Sequence, residues 1–319
     1  MTVGIKAQKT LWGRGAGRCS LPLCRQVLFE DDAAADDPTL IGENCHIVAD
    51  ADNGPRANPL MPLEERDAYP NLILCCRNHH KIIDDQIKTY TVDCLHKIKN
   101  QHETWVREQL GVDMMRQRDD ELYAGYVEEW ERLAHVGDWQ AWTSYLLSHG
   151  QPSLWANVDS DLRILRRWLI SRIWPDRYPM LRDAFINFHR VLNDLQATFH
   201  QHLEDSSESD TLWTRKFYQI KNWDPVRYRD LGDQYNSHVE LVEDLTLELT
   251  RAANLVCDRI REFLTPSYKI NEGRLLITTG PGMNFEWHTF SPLYSSEEKS
   301  KIFPYPGLGK FKAERQRRD

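Results

Sequence analysis

Four side chains with metal-binding chemistry fall into two short pairs. Cys19 and Cys24 enclose Ser20-Leu21-Pro22-Leu23, and Cys76 and His79 enclose Arg77-Asn78. Thiolate and imidazole are the ligands of closed tetrahedral zinc sites, and such half-sites are this tightly spaced. Neither pair fills a coordination sphere alone, so each needs the other. Together they make a Cys3His set for one structural Zn2+. A second chemistry starts at the next residue. His80 and Asp84 lie four apart, so on a helix they share one face and can hold one metal ion between them.

These residues need elements to hold them. Leu72-Ile73-Leu74 is a short apolar run that suits a buried strand and leads into Cys75-Cys76. Alternation along that strand turns Cys75 away from the zinc and into the core. Gly42 to Val48 is β-prone and carries His46. The stretch from Asp50 to Pro70 is rich in Asn, Gly, Pro and acids, a composition of loops. From Thr91, a plausible cap, Leu95, Ile98, His102 and Trp105 recur at helical spacing.

As a set, Cys-x4-Cys, His46, Asn71 and the run Cys76-Arg77-Asn78-His79-His80-Lys81-Ile82-Ile83-Asp84 resembles the HNH nuclease family, over Leu11 to Trp105. The resemblance implies a ββα-metal core. It implies His46 as the general base that activates water, a role suited to imidazole. His80 and Asp84 would hold one catalytic Mg2+ or Mn2+, and Asn71 would orient the loop that carries the base. Arg56, in Asn53-Gly54-Pro55-Arg56, is a candidate phosphate clamp, with a surface ion pair to Glu64 or Glu65 as the alternative. Arg77 and Lys81 are further candidate nucleic-acid contacts. Two positions depart from the family pattern. Cys45 precedes the base where many members carry Asp or His, and thiolate is a poor Mg2+ ligand, so either another group such as Glu43 or Asp85 completes the sphere or the site favours a softer metal. Asp84 replaces the more frequent final His and favours a hard ion. Gly42-Glu43, the Asn-Gly-Pro-Arg loop, the Cys76–Asp84 run and His102-Glu103 look most like HNH modules of bacterial antiphage effectors. Such modules often precede a sensor domain for a cyclic oligonucleotide; the remainder of this chain does not read as that α/β sensor.

The chain of 319 residues can hold two domains, and its 41% hydrophobic and 28% charged content is ordinary for a globular protein. No run approaches a membrane span and no signal-peptide pattern opens the chain, so cytoplasm is the expected compartment. Seven cysteines, an odd count concentrated in the first hundred residues, favour metal over disulfides there. A net charge of −8 and a pI of about 5.9 argue against constitutive nucleic-acid binding and for local patches under control.

Lys6 to Arg18 reads as a basic lead-in with three glycines, either solvated or touching phosphate, and Glu30 to Asp37 as an acidic surface loop. Polar Met114 to Asp120 marks the boundary, giving an HNH domain over 1–115 and a helical regulatory or oligomerisation domain over 120–319. There, Leu122, Val127, Trp130 and Leu133 form one stripe, and Trp139, Trp142 and Leu146 another that Gly150 ends. Ser160 is expected to cap a run through Leu162, Leu165, Trp168 and Leu169 that stops before Pro175. Pro179 and Asp224-Pro225 open two longer helices, with stripes Leu181 to Leu203 and Tyr228 to Ile260. Arg274 to Thr279 and Met283 to Phe290 read as strands of a hairpin around Gly280-Pro281-Gly282, and Lys310 to Arg318 as a basic tail.

The expected fold is therefore an α+β, zinc-containing ββα-metal domain followed by a mainly α bundle with a short C-terminal β-hairpin. Its expected function is metal-dependent cleavage of DNA, gated in antiphage defence. Implied partners are DNA, further copies of the chain, and an activating ligand or protein for the helical half, with no membrane. The competing expectation is a non-catalytic zinc knuckle that binds nucleic acid or protein on a helical scaffold. The trio His46, His80 and Asp84 separates the two, because a knuckle needs none of it.

Overall fold

The computed structural model describes residues 3–30, 39–109, 113–147, 150–204, 210–280 and 286–315. They form mixed α and β structure with four two-stranded antiparallel sheets, divided into compact units Met1–Glu128 and Glu129–Asp319. The acidic loop at 31–38, the proposed turn at 281–282 and the end of the basic tail lie outside the described residues.

The first unit is built on β4 (Leu72–Cys76), whose five side chains are all buried. The order before it is α1 (Ile5–Arg14), β1 (Phe29–Glu30), β2 (Thr39–Leu40), β3 (Gly42–His46) and α2 (Leu63–Arg66). β3 pairs antiparallel with β4 from Gly42 opposite Cys76 to His46 opposite Leu72. α3 (Arg77–Asp85) follows β4 without a loop, so the segment Cys76 to Asp84 passes from strand directly to helix. α4 (Val92–Gln109) then closes the unit, with the Cys94 amide donating to Thr91 Oγ1 (3.3 Å), the expected cap. Leu11, Leu21, Leu28, Cys45, Ile47, Ile73, Leu74, Ile83 and Leu95 make one core. Complete burial of side chains such as Ile73 and Leu74 stabilises the unit by about 1.5–3 kcal/mol each.

Lys6 to Arg18 is largely helical, where a basic lead-in is expected from its glycines. Leu11 is buried and the Trp12 indole donates to Asn44 Oδ1 (2.8 Å), so tertiary packing outweighs local propensity. The chain then turns at Gly17, in the left-handed region (φ 58°), where a Cβ would come within 2.9 Å of the Phe29 ring. Its basic side chains face acids of α5 (Met114–Leu133): Lys9 pairs with Asp120 (3.7 Å) and Arg14 with Glu121 (3.2 Å). Met114 to Asp120 is thus helical rather than a linker, and the division between units falls inside α5.

The second unit contains α6 (Trp139–Leu146), β5 (Ser153–Trp155), α7 (Ala156–Ile170), α8 (Pro179–His200), β6 (Thr211–Trp213), α9 (Pro225–Phe263), β7 (Ile277–Thr279), β8 (His288–Phe290), α10 (Ser296–Lys299) and α11 (Leu308–Arg315). α7 starts four residues before Ser160, which lies inside the helix, while Pro179 opens α8 and Asp224 caps α9 as expected. Asp224 accepts from the amides of Val226 and Arg227 (3.0 and 3.1 Å). The α8 stripe from Leu181 to Phe199 is buried, as are Val242, Leu245, Leu249 and Ile260 of α9, and Trp130 meets Phe185 and Phe188 edge-on at 5.7 Å. β7 pairs with β8 where a hairpin is expected, whereas β5–β6 has no forewarning in the sequence. Among the described residues no helix is long and apolar enough to cross a membrane.

Candidate metal centre and active site

The knuckle before β1 and the turn from β4 into α3 bring Cys19, Cys24, Cys76 and His79 together. Their ligand atoms all lie within 4.8 Å of one another. His79 Nδ1 is 3.1 Å from Cys76 Sγ and 3.6 Å from Cys19 Sγ. A tetrahedron with Zn–S bonds of about 2.3 Å puts sulfurs about 3.8 Å apart, so small side-chain shifts close the set on an ion. The donor set fits Zn2+, and the cluster can hold one metal. Among the described residues it is the one convergent group of three or more such ligands. Burial pushes the Cys76 thiol up to about 11 and raises that of Cys24, while the Cys19 thiol is raised by its hydrogen bond with Cys75 and by burial. A bound cation offsets that cost of ionising buried thiols. Cys75 is fully buried, as expected, but its thiol lies against Cys19 and Cys45 instead of turning from the zinc ligands.

On the other side of α3, His80 and Asp84 share a face as their spacing predicts, with Nε2 and Oδ2 3.2 Å apart. Glu43 of β3 meets the opposite ring nitrogen, Nδ1, at 2.5 Å. The two carboxylates therefore approach opposite edges of one imidazole and do not converge on a point. The 3.2 Å between His80 Nε2 and Asp84 Oδ2 is that of an ion pair, and among the described residues no third His, Cys, Asp or Glu converges with them. Glu43 would have to turn its side chain to face the same point as Asp84. Asp85 faces solvent and pairs with Lys81 (2.9 Å). Cys45, completely buried, donates to the Glu43 carbonyl (3.5 Å) and lies in the core.

His46 ends β3. Its Nε2 is 2.9 Å from Asp67 Oδ1, and its side chain is 22% exposed. Asn71 is 3% exposed and uses its whole amide on backbone: Nδ2 donates to Val48 O and Arg66 O (both 2.8 Å), and Oδ1 accepts from the Val48 amide (2.9 Å). Asn71 in turn sits at the end of a 3-10 turn, Tyr69–Asn71. That turn is fastened to α4 by Tyr69 Oη donating to Glu103 (2.6 Å) and by Lys99 Nζ donating to Tyr69 O.

Arg56 is an internal brace and not the expected phosphate clamp. Its guanidinium is 5% exposed and donates to the carbonyls of Ile47 (2.7 Å), Ile83 (2.5 Å) and His46 (3.3 Å), and to Asp84 Oδ1 (2.7 Å). Those bonds leave little to offer a phosphate, and the alternative partners Glu64 and Glu65 are not engaged by it. They also hold Arg56 in the left-handed region (φ 57°). Arg77 and Lys81 remain outward, their side chains 75% and 76% exposed, with Arg77 Nε 3.5 Å from Glu43. Asp67 escapes sequence reasoning, because a lone acid in a loop that is 21 residues from its partner carries no spacing signal. Neither a family model nor a curated protein sequence matches the chain.

Proposed function

We propose that this chain is a metal-dependent endonuclease of the HNH type that hydrolyses DNA phosphodiester bonds. The observation that carries this reading is the junction at Arg56. One guanidinium ties the carbonyl of His46, at the end of a two-stranded sheet, to the carboxylate of Asp84, on the helix that follows, beside a Cys3His cluster. A structural knuckle has no need of a partly exposed histidine braced against a His/Asp pair. His46 takes a proton from water, whose oxygen attacks phosphorus. Arg77 and Lys81 face solvent, where they attract the phosphate backbone. His80 and Asp84 would hold Mg2+ or Mn2+, which when bound supplies charge neutralisation at the phosphate and the leaving oxygen. The resemblance of the Cys76–Asp84 run to antiphage effector modules supports a role as a gated effector. In that role the helical unit receives an activating ligand or partner and assembles copies of the chain.

One observation favours a second reading, a non-catalytic zinc module that binds nucleic acid or protein. His80 and Asp84 are already partnered by Glu43 and Arg56, as in a purely internal network. Plasmid DNA incubated with the protein and Mg2+, then Mn2+, separates the two. Nicking or linearisation that His80→Ala abolishes supports the nuclease. DNA retained in a mobility-shift assay without cleavage under either metal supports the module.

A further inference from the structure

We infer that Asp67 is the positioning residue of the site: it holds the His46 proton on Nε2 and so presents Nδ1 as the atom that accepts a proton from water. This rests on the nuclease reading and adds a residue and an atom to it.

A carboxylate accepts hydrogen bonds and donates none, so the proton between His46 Nε2 and Asp67 Oδ1, 2.9 Å apart, belongs to the ring. The neutral imidazole has one lone-pair nitrogen, which is then Nδ1. Three features of the local structure fix Asp67 before any substrate arrives. Asp67 terminates α2, its amide bonded to Glu65 O. The Arg66 side chain, 7% exposed, ties that turn to the strand-exit loop through Asp50 O (2.6 Å), Met61 O (3.2 Å) and Asp52 (2.7 Å). Finally, Asn71 grips Arg66 O, next to Asp67, and both polar groups of Val48, two residues beyond His46. One amide thus holds both members of the dyad in register.

In the step assigned to His46, a water O–H bond breaks and its proton passes to Nδ1, giving an imidazolium whose Nε2–H stays with Asp67. The oxygen forms the new P–O bond, the bond to the leaving oxygen breaks, and that oxygen takes a proton from solvent. Asp67 keeps its charge throughout and stabilises the imidazolium, as the carboxylate of a nucleophile–base–acid triad does.

The test uses full-length protein labelled with [15N]histidine, with Asp67→Asn, Asp67→Glu, His46→Ala and His46→Gln. Ring 15N shifts in mildly alkaline buffer report the tautomer, and the His46 signal is identified by its loss in His46→Gln. The wild type should carry its proton on Nε2. Asp67→Asn, whose amide can turn a donor to the ring, should move it to Nδ1 and lower kcat at least ~100-fold, with KM little changed. Asp67→Glu should recover part of the rate. A wild-type His46 protonated on Nδ1, or an Asp67→Asn enzyme with kcat within about threefold of wild type, overturns the proposal. Should Asp67→Asn fail to fold, the wild-type tautomer and Asp67→Glu still decide. Normal cleavage by His46→Ala sinks the base assignment itself, an outcome distinct from an inactive His46→Ala beside an active Asp67→Asn.

Discussion

At the scale of single residues, Arg56 shows how a loop arginine becomes a core residue. It supplies donors to three carbonyls and to one oxygen of a carboxylate whose other oxygen faces His80. Arg56→Ala is expected to cost about 3 kcal/mol in urea unfolding, from carbonyls that lose a buried donor and an acid that loses one of its two partners. Arg56→Lys should restore little, since an ammonium cannot span that fan of acceptors. On the proposed nuclease reading, His46→Ala should lower DNA cleavage at least ~100-fold in a plasmid assay while zinc content stays unchanged, because it would remove the base and no ligand of the Cys3His cluster. The Cys3His cluster and the His80–Asp84 pair are legible in the sequence because their spacing is local: Cys19 with Cys24, Cys76 with His79, His80 with Asp84. Arg56 and Asp67 are not, since their partners are 28 and 21 positions away and neither residue type is unusual in a loop.

At the scale of elements, a strand that runs straight into a helix places two chemistries on one turn. His79 faces the cysteines and His80, one residue on, faces Glu43 and Asp84. Cys19→Ser or Cys76→Ser should therefore unfold the first unit, read as loss of its cooperative transition in circular dichroism. Elemental analysis of the wild type should find one zinc per chain. In the second unit, α9 carries a different liability. His238 is 7% exposed, with its Nε2 buried and without a hydrogen-bond partner. Burial, with His202 and Lys312 nearby, holds its pKa down to about 4. The unfolded chain binds this proton below about pH 6.5 and the folded chain does not until about pH 4. Stability from this group is thus complete above pH 6.5 and is lost as pH falls towards 4, by on the order of 2–3 kcal/mol. Thermal unfolding at pH 7.5 and pH 5 should show the drop, and His238→Phe should flatten it. The long helices were legible from their periodic stripes. The strands β5 and β6, three residues each, carry too short a pattern to read, and the glycines in and just after α1 hide a helix held by its contacts.

At the scale of the whole molecule, the two compact units meet in sequence within α5, a helix with no Pro or Gly near that point except Gly125. A fragment of residues 1–128 should fold, hold zinc and keep Lys9 and Arg14 paired with α5. Ending the chain at Arg118 instead removes Asp120 and Glu121 and should lower its melting temperature. Light scattering of the full chain against the 1–128 fragment tests the proposed assembly through the helical unit. An oligomer that dissociates to a monomeric fragment is expected, with cleavage by the fragment no longer responsive to the second unit. A polar stretch, Met114 to Asp120, suggests the boundary, yet it is the first turns of α5, Asp120 and the adjoining Glu121 pair with α1, and the division falls further along. Composition alone does not reveal that a polar stretch is the start of a helix whose apolar stripe begins only at Tyr123.

Cys19 and His79 are sixty positions apart and touch at one point. During synthesis at about 5–20 residues per second, the first pair of thiols leaves the ribosome roughly 3–12 s before the second can join it. In that interval the nascent chain has two of the four cluster ligands, a strand without its neighbour and no means of closing the loop. The module cannot condense vectorially; it waits, and then closes in one event when Cys76 and His79 emerge. Translation intermediates arrested before that point should be digested quickly by protease whatever the zinc supply. Those arrested well beyond Asp84 should become resistant only when zinc is present. On that expectation, metal supply at the exit tunnel limits how much of the first unit folds.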